Sequence, residues 1–422
     1  MNATIEAGTG QPVPGTDRLI TLDFIRGIAV LGIVFANIAA FGQPMMAYIW
    51  PRALVEPMTQ GDKLFWLLQY VLIDGKMRGL FTLLFGAGMM LFIERAWAKG
   101  ATRWLQARRL LWLLLFGSLH FYLLWHGDIL QLYAFTGLVV LGAIRWKPKT
   151  KLITGLILYG LGAIALAAQM GSGYLATINP EFAAKMPEDA QKQIFEAETR
   201  TVQTNAERIK LYRDGSFTDV ARHMIVEKSG ESVGQTIFLS LVETGPLVLI
   251  GMALYSLGLF SGGMDPRRMR RWGWAGVIAG TALTIPLGLW AYSQDFPFFL
   301  TLFVFVGATA VPHLMAVLGL AALLSLWAPT AARSALGQRL VAAGRMAFSN
   351  YLGTSLILVT IFNGWGLGLF GQFGRVELFG FVLGIWALML LGSKAWLARF
   401  RYGPLEWLWR CLTYWQLFPL RR

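Results

Sequence analysis

Two histidines and one aspartate lie close together in the stretch LHFYLLWHGDILQLYAFTG, which covers residues 119–137. His126 and Asp128 flank Gly127, so a tight turn would let the carboxylate orient the imidazole and stabilise its protonated form. An imidazole beside a carboxylate is the smallest unit that works as a general base. The alternative for Asp128 is a helix N-cap, which leaves His126 unexplained. His120 is the second candidate base. The alternative role for His120 is a packing contact between two helices.

Three polar residues interrupt the first apolar run, TLDFIRGIAVLGIVFANIAAFG. Arg26 and Asn37 are eleven residues apart, and eleven helical steps of about 100° return to nearly the same face, about 16 Å further along the axis. Asp23 and Arg26 have the i, i+3 spacing of an ion pair. The run therefore predicts one helix face that carries polar groups from one side of a membrane toward the other. The alternative is an ion pair and an amide that only hold helices together.

Other charged residues also interrupt apolar runs, where each costs about 2.5–3.5 kcal/mol on insertion scales. Asp74 and Arg78 lie in the insert DGKMRG, Glu243 lies in the sixth apolar run, and Asn350 lies in GRMAFSNYLGTS. At this cost, such residues point to function more strongly than they would in water. We expect all four side chains to line a cavity.

The composition is that of a membrane protein. Of 422 residues, 56% are hydrophobic and 14% are charged, whereas soluble domains carry about 25% charged residues. The net charge of +14 lies mostly in short loops between apolar runs, and no basic–aromatic motif indicates a nucleic-acid partner. The single cysteine, Cys411, and the absence of a Cys/His cluster predict no metal site. The sequence has no Walker A motif, which argues against an ATP-driven pump.

Ten apolar runs are long enough to cross a membrane, which predicts an all-α bundle of about ten transmembrane helices. They lie near 19–42, 64–94, 108–126, 128–146, 151–170, 234–260, 273–293, 297–327, 342–369 and 378–398. A polar insert at Asp74–Gly79 predicts a break in the second run, and Pro312 predicts a kink in the eighth. Lys and Arg are concentrated in alternate loops, which places both termini in the cytoplasm by the positive-inside rule.

These runs divide the chain into five parts. Residues 1–18 form a disordered cytoplasmic N-terminus, and residues 19–170 hold the first five spans. The polar segment 171–233 is an extracytoplasmic insert, in which Pro187 to Arg213 has the composition of a surface helix. Residues 234–398 hold the other five spans, and residues 399–422 suit an interfacial cytoplasmic helix.

Several blocks of the sequence resemble the YeiB-type membrane family along residues 18 to about 410. The blocks are RLITLDFIRGIAVLGIVFANI, LFGAG, LHFYLLWHGDILQLYAFTG, GRMAFSNYLGTS and YGPLEWLWR. That family is in turn similar to the transmembrane acyltransferase superfamily, which includes the type-3 acyltransferases and the lysosomal heparan-glucosaminide N-acetyltransferase. The resemblance implies transfer of an acyl group from cytoplasmic acyl-CoA to an acceptor across the membrane.

The resemblance also suggests roles for individual residues. Type-3 acyltransferases carry an Arg, ten residues and then a catalytic His, and here Arg26 and Asn37 occupy those positions. The lysosomal enzyme has Asn followed by His eleven residues later, and that later position is Tyr48 here. Since neither position holds the base, His126 with Asp128 becomes the first candidate and His120 the second. Asn37 would then bond the acyl carbonyl or the acceptor.

The remaining polar residues then take binding roles in the same interpretation. Asp23, Arg26, Arg78 and Asn350 are expected at the acyl-CoA site, and Asp74 and Glu243 at the acceptor site. The acceptor would be a small molecule or a glycan, such as a lipid-linked sugar, with a hydroxyl or an amine. We expect a multi-pass protein of the bacterial cytoplasmic (inner) membrane in contact with lipid, with a homodimer as a possible assembly. The alternative function is transport or lipid handling without covalent chemistry.

Overall fold

The computed structural model describes residues 20–227 and 229–422, with side chains described outside 228–232. The predicted disordered N-terminus, residues 1–18, lies outside this part of the chain. Helices, turns and one isolated bridge between Phe400 and Arg421 make up the described residues. The expected all-α class is therefore confirmed.

Eighteen α-helices follow one another along the described residues. In chain order they are α1 Ile20–Gly42, α2 Gln60–Leu72, α3 Lys76–Trp97, α4 Arg103–Leu123, α5 Leu130–Val140, α6 Pro148–Ile178, α7 Pro180–Ala184, α8 Glu188–Asp214, α9 Phe217–Glu227, α10 Ser229–Leu239, α11 Gly245–Ser256, α12 Pro266–Ser293, α13 Phe298–Leu302, α14 Ala310–Ala331, α15 Ala335–Arg345, α16 Ala347–Phe362, α17 Arg375–Arg399 and α18 Pro404–Tyr414.

Seven helices in the described part of the chain are long and apolar enough to cross a membrane. Their ranges are Ile20–Gly42, Gln60–Trp97, Pro148–Ile178, Val233–Ser256, Pro266–Ser293, Ala310–Ala331 and Arg375–Arg399. Shorter apolar helices at Leu130–Ala143, Phe298–Ala308 and Ala347–Phe362 accompany them. The protein is therefore a multi-pass helical membrane protein, as its composition predicts.

The expected break in the second run is present between α2 and α3. Gly75 has a φ of +71° and directly precedes α3. A side chain at this position would also collide with the ring of His313. Glycine is therefore required for both backbone conformation and space.

The eighth run is interrupted before its proline rather than at it. A π-helical segment, Phe303–Ala308, separates α13 from α14. Pro312 is the third residue of α14, where its missing N–H breaks no helical hydrogen bond. A second π-helical segment, Ser240–Thr244, joins α10 to α11. Such segments redirect side chains and are frequent at functional sites.

Close backbone approaches at glycines fix the helix pairs at the centre of the bundle. A Cβ on Gly86 of α3 would lie 2.2 Å from the carbonyl oxygen of Val248, and one on Gly251 of α11 would lie 2.1 Å from that of Leu83. Small residues of this kind let transmembrane helices pack backbone to backbone. The contact fixes the register between α3 and α11.

The helices of the polar insert cover one end of the bundle. Helix α8 spans nearly the segment for which the sequence predicts a surface helix. The end of α8 is held by a hydrogen bond from Gly364 N to Tyr212 O of 2.8 Å. Tyr212 also belongs to a buried cluster with Phe41 and Trp125. The insert is therefore packed onto the membrane helices through specific contacts.

The glycine contact between α3 and α11 gives a first prediction. Gly251→Ala forces a methyl group against the backbone of α3, and overpacking of this kind costs about 1–3 kcal/mol. We expect a lower melting temperature for the purified protein. Gly384→Ala is the control, because a Cβ there meets no atom within 4 Å. Equal melting temperatures for the two variants would contradict the close packing.

Candidate functional site

A cavity of about 770 Å³ lies between α1, α3, α4, α16 and α18. Eight basic side chains line it: Arg26, Arg95, Lys99, Arg109, Arg345, Arg401, Arg410 and Arg422. Lys99, Arg401 and Arg422 are exposed and form its rim. These residues come from loops that the charge pattern assigns to the cytoplasmic side, so we call this end of the molecule the basic end.

Both acidic residues of the cavity lining are already engaged. Asp23 Oδ1 lies 2.9 Å from Arg26 Nη1, so the predicted i, i+3 pair is present. Glu406 accepts hydrogen bonds from the backbone N–H groups of Phe348 and Ser349, at 2.8 and 3.0 Å. Burial raises the pKa of the Glu406 carboxyl, while the bonds from Ser349 act in the opposite sense. The cavity as a whole is strongly cationic.

Arg109 is the central cation of the lining. Its guanidinium stands 4.5 Å from the ring centre of Phe92 and 4.3 Å from that of Trp409. The charges of Arg26 and Arg410 face it from α1 and α18. Two aromatic rings hold the guanidinium in place, and its charged neighbours repel it. Such a cluster of like charges favours a bound anion.

The cavity changes character with depth. Away from the rim its walls are apolar and aromatic, and they include Phe81, Leu113, Leu130, Tyr133 and Tyr351. Leu113, Leu130, Tyr133 and Tyr351 are buried. A ligand that fits the whole cavity needs a polyanionic end and a long, mostly apolar arm.

A buried histidine–aspartate pair lies behind the deep end of this cavity. His120 Nδ1 is 2.7 Å from Asp128 Oδ1, and neither side chain is exposed. His120 Nε2 is buried and has no hydrogen-bond partner within the described residues. Since the carboxylate holds one ring nitrogen, the other is left to exchange a proton.

The aspartate thus contacts His120 and not the expected His126. The second oxygen of Asp128 accepts a 2.6 Å bond from Gln131 N and so caps the start of α5. This cap turns the first oxygen toward α4, which is held against α5 at Gly117, where a Cβ would lie 2.3 Å from Gln131 N. His126 lies beyond the end of α4, with Nδ1 3.3 Å from the hydroxyl of Tyr212 in the insert.

Tyr351 connects the cavity to the pair. Its hydroxyl accepts a 3.2 Å bond from Ile129 N and lies 3.5 Å from the carbonyl oxygen of Gly127. Its ring centre is 5.3 Å from that of His120, and the same ring lines the cavity. Tyr351 therefore fixes the turn that carries Asp128 and separates the pair from the cavity by one ring.

The polar face of α1 runs toward the same place. Arg26 lines the cavity, and Ile33 belongs to a buried cluster with Leu113 and Tyr351. Phe41 stacks on Trp125 with 3.9 Å between ring centres. Asn37 lies one helical turn from both Ile33 and Phe41, and it is partly exposed. Asn37 therefore lies on α1 between a residue of the Tyr351 cluster and a residue that stacks on Trp125.

Four predicted site residues lie outside the lining of the basic cavity: Arg78, Glu243, Asp74 and Asn350. Arg78 pairs with Glu243 at 2.6 Å, and neither lines the basic cavity. Asp74 is fully buried and accepts a 3.1 Å bond from Gln69 Nε2.

Asn350 has a packing contact instead of a cavity position. Its amide donates to Ala343 O at 3.1 Å and to Ser393 Oγ at 3.0 Å, which ties α16 to α15 and α17. It is absent from the cavity lining. The described residues contain no group of three or more His, Cys, Asp or Glu side chains that could hold a metal ion.

Sequence reasoning missed three residues of the site. Arg109 counted only as a loop charge, and Tyr133 and Tyr351 carried no charge to mark them. Tyr133 lies in the same block as the histidines, and Tyr351 directly follows Asn350. Their proximity to predicted site residues was the one available signal.

The pairing of Asp128 with His120 gives a second prediction. Asp128→Ala leaves the buried His120 Nδ1 and the N–H of Gln131 without their partner, at about 1–3 kcal/mol for each group. We expect a clear drop in the melting temperature of the purified protein. His126→Ala removes the 3.3 Å contact with Tyr212 but keeps both bonds of Asp128, so we expect a smaller drop. Equal losses would contradict the observed pairing.

Comparison with known proteins finds bacterial relatives along nearly the whole chain. The family model described as "Protein of unknown function (DUF418)" matches residues 254–416. The chain is 33% identical to "Uncharacterized protein YeiB" of Escherichia coli (strain K12), over 94% of this chain and 96% of that protein. It is 30% identical to "Uncharacterized protein YxaH" of Bacillus subtilis (strain 168), over 98% of each chain. No solved structure matches. The chain therefore belongs to the YeiB-like family of multi-pass membrane proteins.

Proposed function

We propose that this protein transfers an acyl group, such as acetyl, from cytoplasmic acyl-CoA to a hydroxyl or amine of an extracytoplasmic acceptor. The acceptor would be a glycan or lipid-linked sugar. The protein would work in the bacterial cytoplasmic membrane, with its basic end toward the cytoplasm. One observation carries the proposal: a cationic cavity with an apolar, buried part lies beside a buried His120–Asp128 pair, and His120 Nε2 has no hydrogen-bond partner among the described residues.

The donor fits the cavity by charge and by shape. Coenzyme A carries a diphosphate and a 3′-phosphate at one end, and arginine binds phosphate through paired N–H donors. Arg26, Arg109 and Arg410 offer such donors close together. The apolar arm would extend toward Tyr133 and Tyr351. A volume of about 770 Å³ is within the usual range for small-molecule sites.

The pair supplies the proton transfer that the reaction needs. The acceptor oxygen or nitrogen would attack the thioester carbonyl carbon, and His120 Nε2 would accept the proton that the acceptor loses. Asp128 would stabilise the imidazolium that forms. The carbon–sulfur bond then breaks, and His120 returns the proton to the departing thiolate. The acyl group ends on the acceptor and the thiol leaves as free CoA.

Asn37 suits a second role near the carbonyl. An amide group cannot act as a base near neutral pH, but its N–H donors stabilise negative charge on an oxygen. Asn37 lies one helical turn from Phe41, which stacks on Trp125, and it is partly exposed. In this scheme it would donate to the thioester oxygen while His120 acts as the base.

Binding of the donor is tested by thermal stability in detergent. We expect millimolar CoA to raise the melting temperature of the wild type by mass action, which amounts to about 2.7 kcal/mol at a hundred times Kd. Arg109→Gln should reduce the shift strongly. Arg52→Gln is the control, because Arg52 pairs with Asp295 outside the cavity. No shift in the wild type would favour transport or lipid handling without covalent chemistry.

The assignment of the base is tested by the two histidines of the same block. With radioactive acetyl-CoA as donor and a crude bacterial envelope extract as acceptor, His120→Asn should lower transfer about 100-fold or more, the usual contribution of a general base. It should keep the stabilisation by CoA. His126→Asn should transfer at nearly the wild-type rate. A loss confined to His126→Asn would return the role to that residue.

A further inference from the structure

Four arginines stand together at the start of α12, outside the lining of the basic cavity. Arg267, Arg268, Arg270 and Arg271 are all exposed. Asp265 accepts a 3.0 Å bond from Arg267 N, and its carboxylate lies 3.8 Å from Arg268 Nε. Among the described residues, the side chains of the other three arginines make no ion pair or hydrogen bond. Three positive charges at this surface are therefore available to an anion.

Other arginines at the basic end lie against aromatic rings. Arg109 lies 4.5 and 4.3 Å from the ring centres of Phe92 and Trp409, and Arg145 lies 5.7 Å from that of Trp97. Such contacts hold a guanidinium in place and satisfy part of its charge. The cluster on α12 differs, because its guanidinium groups point into the surroundings of the protein.

The side of α12 that faces the bundle is fixed by its contact with α14. A Cβ on Gly276 would lie 2.6 Å from Met315 O. Met269, Gly273 and Gly280 are buried, and steps of about 100° per residue place them on the same side of the helix as Gly276. The opposite side of α12 therefore faces away from the protein, toward lipid in a membrane.

A straight line of exposed residues runs along this outer side of α12. At about 100° per residue, its members project within about 60° of one another. They are Arg267, Arg271, Trp274, Ile278 and Ile285, and all five are exposed. The line begins with two cations, continues with an indole and ends with aliphatic side chains. This order complements a phospholipid, which has an anionic phosphate, a glycerol ester region and an apolar chain.

The apolar part of the line matches a lipid chain in length. Trp274 and Ile285 are eleven residues apart, which is about 16 Å along a helix. One leaflet contributes about 15 Å of a hydrocarbon core that is about 30 Å thick. An acyl chain of one leaflet therefore fits along α12 while its phosphate stays beside the arginines.

Trp274 marks the level of the membrane surface. Its ring centre is 6.0 Å from that of Trp327 on α14, and the two side chains are 47% and 45% exposed. Tryptophan is enriched where headgroups meet acyl chains. Arg270 and Arg271 precede Trp274 by one helical turn, so they stand at the level of the headgroups. The charge pattern assigns this end to the cytoplasmic side.

We propose that the outer side of α12 binds an anionic phospholipid of the inner leaflet. Its phosphodiester would lie among Arg267, Arg270 and Arg271, whose guanidinium groups bind phosphate oxygens through paired N–H donors. A zwitterionic lipid is disfavoured, because its ammonium group would lie beside these cations. The proposal does not depend on acyl transfer, since the arginines are outside the lining of the basic cavity.

The test is the melting temperature of the full-length protein in a non-ionic detergent with added lipid. We expect dioleoylphosphatidylglycerol to raise it by mass action, and dioleoylphosphatidylcholine at the same mole fraction to have little effect. Glycerol 3-phosphate, which has the anionic group without the chains, should also have little effect. The variant with Arg267→Gln, Arg270→Gln and Arg271→Gln should lose more than half of the rise, and Arg271→Gln alone should lose part of it.

The matched control removes three other exposed charges from loops at the same end, by Arg103→Gln, Lys147→Gln and Lys149→Gln. It should keep the rise, whereas equal losses in the two triple variants would mean that the arginines act only through net charge and would overturn the site. No rise in the wild type, or an equal rise with both lipids, would also overturn it.

A second control separates this surface from the basic cavity. Arg109→Gln should keep the rise caused by phosphatidylglycerol, and the α12 triple variant should keep the melting shift caused by CoA. Loss of the phosphatidylglycerol effect in Arg109→Gln, with retention in the α12 variant, would place the lipid in the cavity and contradict the proposal.

Discussion

A charge inside a membrane must have a partner or face water, and the central polar residues of this protein follow that constraint. Asp23 is paired with Arg26, His120 with Asp128, and Arg78 with Glu243. The cations of the basic cavity outnumber its acids, and both acids are engaged. The surplus of positive charge therefore marks the place where an anion from the water phase would bind.

Close helix packing at glycines brings two of these pairs together. The approach of α3 to α11 aligns Arg78 with Glu243, and the approach of α4 to α5 at Gly117 aligns His120 with Asp128. Arg78 and Glu243 are 165 residues apart in the sequence, and His120 and Asp128 are eight residues apart on two different elements. Small residues at the crossing points thus position functional groups several turns away.

Tyr133 connects the basic cavity with the polar groups of α3. Its ring lines the cavity, and its hydroxyl lies 2.7 Å from Thr82 Oγ1 and 3.5 Å from Arg78 O. The cavity has a cationic rim and an apolar, buried part, and Tyr133 and Tyr351 line that buried part.

The sequence alone determined the helical membrane class, the break before α3, the Asp23–Arg26 pair and the block that holds the buried histidine. These features follow from composition and from residues a few positions apart, so they do not require contacts between distant parts of the chain. Tertiary structure decided which histidine Asp128 contacts, that Arg78 meets Glu243, and that Asn350 packs against Ser393. Those contacts depend on helix register and on the direction in which a turn points an oxygen. Neither is set until glycine contacts bring the helices together.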